Sequence, residues 1–184
     1  MRYDIRFTGS GGQGLLFMAT TLAVAAVRFG NLHATQSASY GAATRGGYSR
    51  GDVVMCDREI DYPWLITADV LVAMAQPSLQ RDLPNLKPGG VLLLEPTMVS
   101  DPSGFGDPIY RVPAMEISEK VTGSTMYANS VMMGVLDHLL SLLPKGALEQ
   151  AVAAQAPARF KDGNLKAFAA GKAYHEGALS GREN

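Results

Sequence analysis

The chain has 184 residues, 47% hydrophobic and 18% charged, with a formal net charge of -1. This suits a single domain over residues 1–184 with a full-sized core, and it excludes long disorder. Charges are scattered and form no basic stripe, which argues against a nucleic-acid partner. Cys56 is the sole cysteine. It can neither close an internal disulfide nor hold a ferredoxin-type cluster, which takes about four thiolates. No Cys-x-x-Cys or His/Cys cluster offers a zinc site. The expectation is a cytoplasmic chain with no redox metal of its own. The first residues lead directly into a strand pattern and do not read as a signal peptide. The apolar run 14–27, broken by Thr20 and Thr21, falls short of the ~20 residues of a membrane span.

In chain order, residues 3–8 alternate and predict a strand. A glycine loop follows, then a Leu/Ala/Met-rich helix over 15–29, closed by Gly30. Residues 32–36 predict a second short strand. Residues 37–51 carry little apolar content and many polar groups, and read as a structured functional loop. A strand resumes at 52–56, which Glu59 and Ile60 could extend into a hairpin. The apolar run 68–74 predicts a strand covered on both faces. Pro77 suits the first turn of a helix at 78–83. A turn at 86–90, a buried strand at 91–95, a loop at 101–107 and a strand at 109–112 come next. The last third predicts helices over 115–121, 129–143 (ended by Pro144), 145–155 and 165–178, with 179–184 frayed. The implied fold is α/β: a three-layer, Rossmann-like domain with a mostly parallel or mixed sheet and C-terminal helices packed on it.

Gly9, Ser10, Gly11, Gly12, Gln13 and Gly14 form a G-x-G-x-x-G loop between a strand and a helix. Glycines let backbone N–H groups approach a ligand, and the helix N-terminus adds partial positive charge. Together they suit phosphate or carboxylate. A dinucleotide site also needs an acid ~20 residues later for the ribose. Ala34, Thr35 and Gln36 stand there instead, which weakens a nicotinamide or flavin assignment. The alternative is that the glycines only allow close strand–helix packing.

A second candidate runs through Tyr40, Gly41, Arg45, Gly46, Gly47 and Ser49. Arg45 is a fork donor suited to phosphate or carboxylate, and Ser49 adds a hydroxyl. An ordinary surface loop with Arg45 solvated is the competing reading. Glu95 ends a strand, where α/β ligand sites often lie. His33, His138 and His175 are dispersed and read as structural, and no nucleophile motif surrounds Ser10 or Ser49.

The pairing of G-x-G-G-Q-G with Y-G-x-x-x-R-G-G-x-S resembles the gamma subunit of 2-oxoacid:ferredoxin oxidoreductases. Ile60, Pro63, the Pro88–Gly90 turn, Asn129, Arg159-Phe160, Asn164, Phe168 and Gly171 fit the same family, so the resemblance spans nearly the whole chain. It implies a complex that oxidatively decarboxylates a 2-oxoacid with coenzyme A, giving acyl-CoA, CO2 and reduced ferredoxin. Thiamine diphosphate and iron–sulfur clusters are then expected on partner chains: alpha, beta and a ferredoxin-like delta subunit. It implies no cofactor held by this chain alone. The glycine loop and the Arg45 loop are expected to face the neighbouring catalytic subunits, where they would either help close the site or hold the phosphates of coenzyme A, with Glu95 and Asn129 as further cofactor-binding candidates. A stand-alone CoA- or nucleotide-binding module and a purely structural subunit are the competing readings. Expressed alone, the chain is expected to form a homodimer through its uncovered partner surface.

Overall fold

The computed structural model describes residues 1–41, 46–102 and 108–180, the last six as backbone only. Strands β1 (Arg2–Ser10), β2 (His33–Tyr40), β3 (Tyr48–Cys56), β4 (Ala68–Ala73), β5 (Leu86–Leu94) and β6 (Ile109–Arg111) form one sheet in the order β2-β3-β1-β4-β5-β6. β1, β4, β5 and β6 are mutually parallel, while β3 is antiparallel to both its neighbours. The sheet is therefore mixed. Helices are α1 (Leu15–Val24), α2 (Gln76–Asp82), α3 (Ala114–Thr122), α4 (Ala128–Leu139), α5 (Ala147–Gln155) and α6 (Lys161–Ser180).

Alternation in β1 sorts the two faces. Ile5 and Phe7 are fully buried in the main core with α1, α4, α5 and α6. Arg6 and Thr8 point to the opposite face, toward α2. There a smaller core of Leu71, Leu79, Leu92 and Leu94 fills the space. The connection after β1 thus goes to one face and the connection after β4 to the other. That reversal is a topological switch point, where a crevice opens beyond the strand ends. The glycine loop lies there.

Several sequence expectations are revised. Residues 37–51 are mostly strand: Ser37 pairs with Asp52, Ser39 with Arg50 and Tyr40 with Ser49. β2 is an edge strand, so its polar side chains face water at little cost while β3 fixes its register. The turn predicted at 86–90 is absorbed into β5, with Gly89 at φ 76°. Glu59 and Ile60 lie outside any strand. α4 ends at Leu139, and α6 begins earlier than expected. Helix α1 continues as a π-helix over Ala25–Phe29 and stops at Gly30, but Asn31 takes the left-handed φ of 52°. Part of the predicted 101–107 loop lies outside the described residues.

Helices α4 and α6 touch backbone to backbone. A Cβ on Gly171 would collide with the Val131 carbonyl, and one on Gly134 with the Phe168 carbonyl. Alanine normally stabilises a helix interior over glycine by ~0.5–1 kcal/mol. Here Gly171→Ala is expected to destabilise by about 1–3 kcal/mol through overpacking. A thermal midpoint several degrees lower by circular dichroism is the expected result. An unchanged or raised midpoint would mean the helices separate freely.

Candidate functional site

The glycine loop is held by its own amide groups. Ser10 N–H donates to Gln13 Oε1 (2.7 Å), and Gln13 N–H donates to the Ser10 carbonyl (3.2 Å). Gln13 Nε2 donates to the Met74 carbonyl at the end of β4 (2.7 Å), tying the loop across the switch point. Gly11 N–H donates to the Gly47 carbonyl (2.8 Å). The two candidate motifs, 36 residues apart (47 minus 11), are thus joined by a direct hydrogen bond. Gly41 N–H donates to the Tyr48 carbonyl (2.7 Å) and closes the other side of the hairpin. Arg45 itself lies outside the described residues.

The glycines divide their work. A Cβ on Gly9 would collide with Gln13 Oε1, and one on Gly14 with Asn129 Nδ2, so both serve close packing. Gly12 (φ 98°) and Gly46 (φ 70°) have positive φ with open space where a Cβ would stand. Three loop N–H groups are spent inside the protein. Among the described residues, those of Gly12 and Gly14 have no protein partner. The first turn of α1 adds unpaired N–H groups by helix geometry. Its N-cap, Gly14, gives no side-chain cap, and no acid lies in that turn. The positive helix end is left uncompensated, which favours an anion.

A cleft of about 730 Å³ opens beside this turn, lined by Ser10, Gly11, Gly12, Leu16, Tyr40 and Ser49 among others. Tyr40 is 63% exposed and Leu16 40%. Among the described residues, no carboxylate lines it. Asn129, at the start of α4, lies behind the loop in a smaller cavity of about 200 Å³ with Gly12, Gln13 and Met126. Its Oδ1 accepts from Ser130 N–H (2.8 Å). Glu95 is fully buried at the end of β5 but does not line the cleft. Its Oε2 accepts from Thr97 Oγ1 and from Met98 N–H (3.0 Å), and its Oε1 has no partner among the described residues. The structure therefore brings the glycine loop, the hairpin and Asn129 together, and leaves Glu95 apart.

A buried polar network, absent from the sequence reading, stands on the face of the sheet that α2 covers. Arg6 grips Asp52 with two hydrogen bonds (2.8 and 2.9 Å) and reaches Asp82 of α2 (3.3 Å). Thr8 and Tyr48 donate to the Asp82 carboxylate, and Arg50 approaches Asp52 (3.4 Å). Arg81 lies 4.1 Å from the Tyr48 ring centroid. Burial alone would lower the Arg6 pKa, but its bonds and charge contacts to Asp52 and Asp82 hold it above the ordinary value. Burial, followed by the Asp82 hydrogen bond, pushes the Tyr48 phenol up. Ser78 of α2 adds a bond to the Gly9 carbonyl (2.7 Å). Helix α2 thus fixes from below the strand ends that carry both loops.

The family model for pyruvate ferredoxin/flavodoxin oxidoreductase matches residues 4–174. The chain belongs to this family. It is 38% identical over 178 residues to the 2-oxoglutarate synthase subunit KorC of Methanothermobacter marburgensis, covering 94% of this chain and 96% of that one. It is 40% identical over 132 residues to the ketoisovalerate oxidoreductase subunit VorA of Methanothermobacter thermautotrophicus, covering 72% of this chain but 27% of that one. Its fold is similar to the gamma subunit of a keto/oxoacid ferredoxin oxidoreductase from Geobacter sulfurreducens PCA. The TM-score is 0.83 at 32% identity, over 97% of this chain and 99% of that one.

Within this family member, the signal for the missed network was present in the sequence. Arg6 stands between Ile5 and Phe7, and Asp52 precedes Val53. Charges inside strands of an α/β sheet point to a covered polar face. No helix among the described residues is long and apolar enough to cross a membrane.

Proposed function

We propose that this chain is the gamma subunit of a 2-oxoacid:ferredoxin oxidoreductase complex, and that its glycine cleft holds the phosphates of coenzyme A. The complex would convert 2-oxoglutarate or a related 2-oxoacid to the acyl-CoA and reduce ferredoxin. The observation that carries the cleft assignment is the Gly11–Gly47 hydrogen bond, which joins both motifs around an uncompensated helix N-terminus. Gly12 and Gly14 N–H groups and the first turn of α1 bind the anion, and Tyr40 gives an exposed aromatic face at the cleft. Arg45, next in sequence to Gly46, supplies the cation.

Thiamine diphosphate chemistry belongs to the alpha and beta subunits in this reading, and the clusters to them and a ferredoxin-like delta subunit. The one cysteine, Cys56, is buried, so this chain's residues do not fit a cluster. Its task is to bind and orient the acyl acceptor. Arg45→Ala, studied in the assembled complex, tests this. A charge-assisted hydrogen bond is worth about 1.5–3 kcal/mol. The KM for coenzyme A is expected to rise roughly ten-fold or more, with assembly and turnover at saturating coenzyme A retained. An unchanged KM would remove the arginine from the site.

A further inference from the structure

Tyr48 stands between two candidate site residues, Gly47 and Ser49, yet it is an open position in the Y-G-x-x-x-R-G-G-x-S pattern. Alternation along β3 sends Ser49 into the cleft and the Tyr48 ring to the opposite face. The ring thus stands behind the cleft wall, on the side that α2 covers.

The backbone at Tyr48 joins the hairpin to the glycine loop. The two carbonyls flanking its Cα are those of Gly47 and of Tyr48 itself. The first accepts from Gly11 N–H (2.8 Å) and the second from Gly41 N–H (2.7 Å). The directions of both bonds are therefore set by the backbone at one residue.

The side chain fixes that residue. The Tyr48 hydroxyl lies 2.9 and 3.1 Å from the two Asp82 carboxylate oxygens and donates to them. Arg81, the preceding residue of α2, lies 4.1 Å from the ring centroid. Burial and the Asp82 bond raise the phenol's pKa, so it remains a donor. The same helix holds the other wall, since Ser78 Oγ donates to the Gly9 carbonyl (2.7 Å). Helix α2 therefore spaces the hairpin against the glycine loop. Contacts run without a break from Asp82 to the phenol, the Gly47 carbonyl and Gly11 N–H, and so to Gly12 at φ 98°. A binding site keeps its geometry only when the residues behind it are locked.

We propose that Tyr48 is a positioning residue for coenzyme A. Its hydroxyl, clamped by Asp82, sets the Gly47 carbonyl against Gly11 and holds the glycine loop in its anion-binding shape. The proposal deepens the cleft assignment above and rests on it.

A purely structural bond would stabilise the fold and leave binding alone, and Thr8 separates the two cases. Its hydroxyl donates to the same Asp82 carboxylate, but from β1 and not from the hairpin. Tyr48→Phe and Thr8→Val each delete one hydroxyl and keep the side-chain shape. Both are studied in the assembled complex, by acyl-CoA formation against coenzyme A concentration, and as isolated chains by thermal melting. Both should lower the melting temperature modestly. Only Tyr48→Phe should raise the KM for coenzyme A, by roughly three- to ten-fold, with turnover at saturating coenzyme A unchanged. A wild-type KM in Tyr48→Phe, or an equal rise in both variants, overturns the proposal. Gly12→Asp and Gly12→Asn, which differ by one charge at the loop, report on the cleft itself. If their KM values differ while that of Tyr48→Phe stays at the wild-type value, the proposal falls and the cleft assignment stands. If no variant shifts KM, both fall. A complex that forms no acyl-CoA removes the subunit reading, and the proposal with it.

Discussion

Arg6→Ala is expected to cost about 3–5 kcal/mol of folding stability, the largest effect of any single substitution considered. Its side chain is 3% exposed, and the Asp52 and Asp82 side chains it serves are 4% and 1% exposed. Truncating the cation leaves two buried carboxylates short of a partner, and breaking a buried pair from one side is strongly destabilising. Arg50 reaches the same carboxylates only at 3.4 and 3.9 Å from a more exposed position, so it compensates weakly. Against a total stability of ~5–15 kcal/mol, such a loss lowers the melting temperature by roughly 6–20 °C. Calorimetry of the purified chain checks it.

Removing both charges together should rescue stability. Replacing both partners, Arg6→Met with Asp52→Leu, removes the uncompensated charge and fills the volume with apolar atoms. Such replacements are often neutral or stabilising. Asp82 keeps Thr8 and Tyr48 as donors. The double variant is therefore expected to recover part of the loss. A double variant as unstable as Arg6→Ala would show that the network has a role beyond charge compensation.

Gly12→Asp should raise the KM for coenzyme A roughly ten-fold above that of Gly12→Asn. Both side chains have nearly the same shape, and both meet open space at Gly12. Both are equally strained at φ 98°, a cost of ~1–2 kcal/mol for an L-residue. They differ in one charge. At ~5 Å from a phosphate, a carboxylate repels by about 1–3 kcal/mol for an effective dielectric constant between ~60 and ~20. The comparison therefore isolates electrostatics at the loop from strain. Equal KM values for the two variants would place the anion elsewhere.

The sequence made β1, the glycine loop and α1 legible because local signals agree there: alternation, then glycines, then a helix-forming run. It made only the first half of β2 legible, the strand expected at 32–36. Ser37, Ser39 and Tyr40 join a strand only because β3 lies beside them, and pairing is not a local property. The meeting of the two motifs was readable as a family pattern, but not as the bond from Gly11 to Gly47. The loop also proved less open to a ligand than its composition suggests. Ser10, Gly11 and Gln13 turn their N–H groups inward, and the Gln13 side chain spends both its amide ends on the fold. The proposed anion site then rests mainly on the positive helix end after Gly14. Glu95 followed from the rule about strand ends, yet its carboxylate folds back on the turn that begins at Pro96.

In the proposed function, this chain acts only as one part of a larger oxidoreductase. Co-expression with the thiamine-diphosphate-binding and ferredoxin-like subunits, followed by an assay of acyl-CoA formation across several 2-oxoacids, tests it most directly. The chain should co-purify with them, the complex should form acyl-CoA with ferredoxin reduction, and the isolated chain should be inactive. Catalysis by the isolated chain, or a fully active complex that lacks it, would contradict the account.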